Sequence, residues 1–167
     1  EIHYNAKHDS EAARFCLIPA LGRREDAMAV MPVISHFDNT EDAPYLEYSF
    51  KVREDGEYKV YFQLLPCNPW IQGRKVKLCF DVDGSETIEC KAVPEGYVAG
   101  ESRDWGAGVL NHVHLVEASV KLKAGVNNLR FYGTDPENIL ERIIVLRKGC
   151  AVPVSFLGPD ESVKEIS

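Results

Sequence analysis

Along residues 45–52 the apolar side chains Leu46, Tyr48, Phe50 and Val52 alternate with Tyr45, Glu47, Ser49 and Lys51. A period of two turns one face of an extended chain toward a core and leaves the other in water. The pattern returns after the turn Glu54-Asp55-Gly56, with Tyr58, Val60, Phe62 and Leu64 on one face of a strand from Glu57 to Leu65, and again in Val76, Leu78, Phe80 and Val82. Thr87 to Val93, His114 to Leu122, Val126 to Tyr132 and Ile139 to Leu146 continue the series, with short turns at Asp83-Gly84-Ser85 and Lys123-Ala124-Gly125. So many short strands between turn signals predict an all-β fold, an antiparallel β-sandwich of jelly-roll type. A tight loop at Asp83-Gly84-Ser85 sets Leu78 opposite Cys90 and Phe80 opposite Ile88, so that Cys79 faces away and is not bridged to Cys90.

If each connection reverses the chain, the turns near residues 55, 84 and 124 lie at one end, and the loops 66–74, 94–112 and 134–138 lie at the other. Binding residues concentrate on long loops held by a rigid scaffold. Both tryptophans, Trp70 and Trp105, lie in Gly- and Pro-broken segments of that second end. One stretch is ambiguous. Asp135-Pro136-Glu137 has the residues of a helix start, and Ile139, Leu140, Ile143 and Ile144 have helical spacing, whereas the β-branched run Ile143-Ile144-Val145 favours a strand. We read it as strand.

A chain of 167 residues, 45% apolar, supports one well-buried core, so residues 1–167 are read as a single module. A net charge of −7 gives no footprint for nucleic acid, and no apolar run approaches a membrane span. The start, Glu1-Ile2-His3-Tyr4, has neither Met nor leader, which points to an excised module or mature fragment. Five cysteines, at positions 16, 67, 79, 90 and 150, form no CxxC pair and leave at least one thiol unpaired.

Phrases spanning most of the chain resemble the C-terminal domain of glycoside hydrolase family 115, the xylan α-1,2-glucuronidases. They are Ala20-Leu21-Gly22-Arg23, Ala43-Pro44-Tyr45-Leu46-Glu47-Tyr48, Asp83-Gly84, Leu122-Lys123-Ala124-Gly125, Asp135-Pro136 with Ile139-Leu140-Glu141-Arg142-Ile143, and Ser155-Phe156-Leu157-Gly158-Pro159-Asp160-Glu161-Ser162. The resemblance implies a β-sandwich accessory domain similar to jelly-roll carbohydrate-binding modules, attached to a catalytic domain in an extracellular or cell-surface parent enzyme. It also weighs toward strand at 139–146. Related modules often begin with a Glu-Ala-Glu motif that helps hold a structural calcium. Here the corresponding stretch is Asn5-Ala6-Lys7, and a lysine offers calcium no oxygen ligand. No cofactor is therefore expected. Asn138 departs from the glucuronidase pattern and resembles sugar-binding jelly rolls, which often place an asparagine just before the last long strand.

A sugar presents an apolar C–H face and a rim of hydroxyls, so its site needs an aromatic platform with planar donors and acceptors. The long-loop end offers Trp105, Asn138, Trp70, Tyr97, Asn111, Asp135 and Arg103. Trp105 is flanked by Gly106 and Gly108, which let a ligand approach; otherwise it anchors its loop. Trp70 is either a platform or a ring pinned by Asn68-Pro69 and Ile71, and Tyr97 has the same two readings. Asn138 either meets a sugar hydroxyl or caps the Asp135-Pro136 turn, which Asp135 itself organises unless it touches ligand. Asn111 is a rim contact or a plain loop residue, and Arg103 is a uronate clamp or a solvated charge.

His112 and His114 alternate along an expected strand and share a face, yet a third metal ligand is not identifiable, so no metal site is expected. Glu41-Asp42 and Asp160-Glu161 are sequence neighbours rather than the facing carboxylates of a glycosidase. No nucleophile elbow or phosphate loop occurs, and nothing places Cys150 beside a histidine base. Together with the resemblance, which supplies the ligand class and the parent enzyme, these observations imply a noncatalytic module expected to recognise a plant cell-wall polysaccharide, hemicellulose such as xylan, and to target an attached catalytic domain. The competing expectation is a structural or dimerisation domain that binds no sugar and exposes a large apolar patch.

Overall fold

The computed structural model describes residues 3–22, 26–71, 74–93, 101 and 103–152, apart from the side chains of Asp104 and Trp105. Within these residues the chain runs β1 (Ala6–His8), β2 (Arg14–Ile18), β3 (Ala27–Met31), β4 (Tyr45–Val52), β5 (Gly56–Leu64), β6 (Lys77–Val82), β7 (Ile88–Lys91), α1 (Arg103–Asn111), β8 (His114–Leu122), β9 (Gly125–Tyr132) and β10 (Leu140–Arg147). The strands form two five-stranded antiparallel sheets, ordered β1-β4-β9-β6-β7 and β2-β3-β10-β5-β8. The fold is the sandwich that the alternation predicts.

The alternating faces meet between the sheets. Leu46, Val60, Phe62, Leu78, Phe80, Leu129, Phe131 and Leu140 are buried there in one core. Phe62 bridges the layers, its ring 4.9 Å from that of Phe80 and 5.8 Å from that of Phe131, and Phe131 in turn lies 5.8 Å from Phe15. Each such pair adds roughly 0.5–1.5 kcal/mol beyond the area it buries. The β6–β7 hairpin has the expected register, Leu78 with Cys90 and Phe80 with Ile88, so Cys79 stands opposite Glu89.

The ambiguous stretch resolves as β10, and its pairing with β5 explains the helical spacing. A register shift falls between Leu140 and Arg142, so Leu140 pairs with Leu64 while Ile143 pairs with Phe62. The bulge puts one extra residue into the strand, so two core-facing positions lie three apart rather than two. Ile144 is buried as well, although it points the opposite way from Ile143. A strand with two apolar faces and a bulge therefore imitates a helix in sequence.

Four elements depart from expectation. Strands β1 to β3 precede the first strand read from the sequence, and residues 103–111 form a helix where a loop was expected. The helix ends in a Schellman motif: Val113 N–H donates to Gly108 C=O at 3.1 Å and His112 N–H to Val109 C=O at 3.2 Å, with His112 left-handed at φ 56°. His112 thus closes a helix rather than extending a strand, and His114 instead bonds through Nε2 to the Ala92 carbonyl. The expected alternation of the two imidazoles on one strand is absent. Because only glycine takes the left-handed conformation without a steric cost, His112→Gly should raise stability by roughly 0.5–1 kcal/mol in thermal denaturation.

The short turns at one end are tied by carboxylates. Asp55 accepts from Ala124 N–H at 2.7 Å, Asp81 from Gly84 N–H at 2.9 Å, and Asp83 from Asn128 N–H at 2.8 Å. At the other end, just past β9, Gly133 passes so close to the core that an added Cβ would lie 2.5 Å from Val30 Cγ2 and 3.0 Å from Phe15 Cζ. Both neighbours are buried and have no space to retreat. Gly133→Ala should cost about 1–3 kcal/mol by overpacking, read as a lower denaturation midpoint with an unchanged slope.

Candidate functional site

The long connections gather at the end opposite the short turns. The β9–β10 loop, residues 133–139, lies between the others and is buried almost throughout. Asp135-Pro136-Glu137-Asn138 forms a single β-turn closed by Asn138 N–H donating to Asp135 C=O at 3.1 Å, with Pro136 at the position where its fixed φ is favoured. The helix-start residues therefore make one turn that does not propagate.

A buried loop must have its polar groups answered by neighbours. Asp135 Oδ1 accepts from Arg74 Nε at 3.0 Å, from Arg74 Nη2 at 2.9 Å and from His36 Nδ1 at 3.0 Å, while Oδ2 accepts from Lys77 N–H at 3.0 Å. Glu137 Oε1 accepts from the Trp70 N–H at 3.0 Å. Asn138 Nδ2 donates to the Lys77 carbonyl at 2.7 Å, and Leu65 N–H donates to Ile139 C=O at 3.0 Å. From the β3–β4 connection, Phe37 N–H reaches Thr134 C=O at 2.9 Å. Three connections, residues 32–44, 65–76 and 133–139, are thus fastened together by two carboxylates and an amide. Helix α1 packs on the same end, where Gly108 lets it approach Pro66: a Cβ there would stand 3.7 Å from Pro66 Cγ and 3.3 Å from Val113 O.

Against this geometry the residues named from sequence separate. Trp70 is 55% exposed while its backbone is pinned by Glu137, which makes a presented ring on a held loop. Asp135 and Asn138 share its end but lie beneath the surface, at 0% and 2% exposure, with their groups committed to the loop bonds above. Arg103 is exposed at the first position of α1 and Asn111 at its last, where its amide donates to Ala107 C=O at 2.8 Å. Trp105 lies within α1 with its side chain outside the described residues, and Tyr97 lies outside them altogether. His36, Arg74 and Glu137 were not singled out by sequence reasoning. They come from three loops, successively 38 and 63 positions apart, and only the strand topology brings them together.

Burial pushes the Cys67, Cys79 and Cys90 thiols up, Cys67 with a further contribution from the Glu137 carboxylate. Cys150 is exposed and free. In the stretch Asn5-Ala6-Lys7 the Lys7 ammonium donates to Phe15 C=O at 3.3 Å and pairs with Asp9 at 3.2 Å, so a fixed cation stands among these oxygens.

On the outer face of the β1-β4-β9-β6-β7 sheet, His8 stacks on Tyr45 at 5.0 Å, and Arg130 lies 5.3 Å above the same tyrosine while donating to Glu47 at 2.8 Å. Tyr132 donates to Asp81 at 2.6 Å, and burial together with that carboxylate pushes its hydroxyl up to about 12. These cross-strand contacts bind the sheet's own strands.

Comparison with known proteins places this architecture. The model of the glycosyl hydrolase family 115 C-terminal domain matches residues 2–161. No curated protein sequence matches the chain. Among solved structures, it is similar to a family GH115 4-O-methyl-α-glucuronidase, BtGH115A, with specificity for decorated arabinogalactans, at TM-score 0.61 and 19% identity over 86% of this chain. The chain spans 18% of the length of that enzyme. It is also similar to a family 35 carbohydrate-binding module from Clostridium thermocellum, at TM-score 0.55 and 17% identity over 84% of this chain and 91% of that one. The C-terminal CBM6 of LamC, a marine laminarinase from Zobellia galactanivorans, gives TM-score 0.56 and 13% identity over 87% and 94% of the two chains. At these identities the likeness is one of fold, the sandwich of carbohydrate-binding modules.

Proposed function

The chain belongs to the glycosyl hydrolase family 115 C-terminal domain family, and from that premise we propose that it is a noncatalytic carbohydrate-binding module of an extracellular enzyme. Its ligand is a plant cell-wall polysaccharide of the hemicellulose class, with xylan the first candidate. The single observation that carries this reading is Trp70, whose ring is exposed on a loop held through its own backbone by Glu137. A flat apolar surface kept in place without ligand loses little entropy on binding, which is what stacking on a sugar ring requires. Trp105 and Tyr97 are proposed from the sequence alone as further aromatic contacts, with Asn111 and Arg103 as polar contacts on α1. Asp135 and Asn138 serve the site from below by fixing the loops. Tethering to one polymer raises the effective concentration of an attached catalytic domain on its substrate.

Affinity electrophoresis in gels containing xylan, decorated arabinogalactan, glucomannan or cellulose tests this. Retardation on at least one hemicellulose is expected, and unchanged migration on all four would end the reading.

A second reading rests on a specific observation. Leu110 is 86% exposed, and Val109 and Ile71 are exposed as well, so α1 and the β5–β6 loop present apolar side chains that a homodimer or the parent enzyme could cover. That reading requires self-association in sedimentation velocity, or normal migration in every gel.

A further inference from the structure

Behind Trp70, the fastening of the three loops contains an unanswered group. Glu137 spends Oε1 on the Trp70 N–H, but Oε2 is buried without a hydrogen-bond partner among the described residues, in a side chain only 1% exposed. It faces His36 Nδ1 at 3.8 Å, and the same nitrogen lies 3.0 Å from Asp135 Oδ1. One N–H cannot serve both carboxylates at these distances, so bonding Asp135 leaves Glu137 unsatisfied. Leaving such a group without a partner is destabilising, more so when it is charged. Two buried carboxylates and the Arg74 guanidinium therefore meet at one imidazole, and one carboxylate oxygen is left without a donor.

We propose that His36 Nδ1, Asp135 Oδ1 and Glu137 Oε2 form a binding site for a first-row divalent metal ion, with zinc as the fitting probe. The three donor atoms lie within 4.8 Å of one another. Separations of 3.0 and 3.8 Å are spanned by pairs of bonds of about 2.0–2.1 Å, the lengths zinc makes with imidazole and carboxylate. The imidazole selects against calcium and magnesium, which prefer all-oxygen shells of six or more ligands. Water completes the coordination. The ion takes the neutral ring through the Nδ1 lone pair, with the ring's single N–H proton carried on Nε2. The place on Asp135 Oδ1 that His36 Nδ1 vacates takes the metal, while Arg74 Nε and Nη2 share the remaining lone pair. The ion joins the β3–β4 connection to the β9–β10 turn that holds Trp70, and so locks the long-loop end.

The test is thermal denaturation of the full chain with zinc, with calcium and with EDTA. Zinc should raise Tm and EDTA should reverse the rise, while calcium should leave Tm unchanged. The zinc effect should vanish in Glu137→Gln and in His36→Ala. Cobalt added to the wild-type protein provides a reading that does not depend on folding of the variants, with weak visible bands and no thiolate charge-transfer band expected from this donor set. No zinc-dependent rise, an equal rise in both variants, or a thiolate band that brings in Cys67 would each overturn the assignment. None of these outcomes depends on whether sugar binds.

Discussion

Replacing Asp135 with alanine should cost about 3–5 kcal/mol, the scale for breaking a buried charge pair from one side. The variant strips acceptors from Arg74 Nε and Nη2, from His36 Nδ1 and from the Lys77 N–H in a single change. A domain of this kind is stable by only about 5–15 kcal/mol, so the loss removes a large share of the whole. Asparagine should rescue poorly. Both carboxylate oxygens of Asp135 face donors, and the amide would turn its own NH2 against either Lys77 N–H or the Arg74 and His36 donors. Urea denaturation of wild type, Asp135→Ala and Asp135→Asn checks this. Near-wild-type stability of Asp135→Asn would show that the charge and its second acceptor are unimportant to the loop end.

Trp70→Ala should separate binding from stability. Loss of an aromatic anchor from a sugar site should weaken binding by about 5- to 30-fold, or about 1–2 kcal/mol. The ring is more than half exposed, and the loop is held by the Trp70 backbone N–H rather than by the indole. Alanine retains that donor, so the denaturation midpoint should move little, within about 0.5 kcal/mol. Affinity electrophoresis beside a denaturation curve reads both quantities. A fall in stability comparable to that of Asp135→Ala would instead make Trp70 a loop anchor.

Much of the fold was legible because β4, β8 and β9 alternate between a buried and a wetter face, and because turn residues set the register of their neighbours. The β6–β7 pairing could be read from Asp83-Gly84-Ser85 and the matching of apolar partners alone. The two ends of the sandwich followed from counting reversals, and the contacts from Arg74 and Trp70 to the β9–β10 turn place those loops together as the count required. The first three strands escaped because they are short, and because Ala27-Met28-Ala29-Val30 is buried on both sides and shows no alternation. Helix α1 escaped because two glycines in nine residues lower its intrinsic propensity. It forms where Gly108 can approach Pro66, a contact no local pattern reveals.

The site was legible only in part. Trp70 could be found because a rigid aromatic in a Pro- and Gly-broken loop is informative by itself. The depth of Asp135 and Asn138 could not, since a polar residue in Asp-Pro-Glu-Asn has the same sequence signature on a surface turn as in a buried one. Their burial depends on loops 32–44 and 65–76 arriving to satisfy them. His36 carries no signal at all until the topology sets it against Asp135.

The most direct measurement is titration of the ¹⁵N-labelled chain with xylo-oligosaccharides and arabinogalactan oligosaccharides, following amide and indole resonances. Saturable shifts are expected at Trp70, its indole N–H and residues of α1, with the turns at 53–55, 83–87 and 123–124 unmoved. Saturable shifts confined to those short turns, or none with any oligosaccharide, would contradict the proposed function.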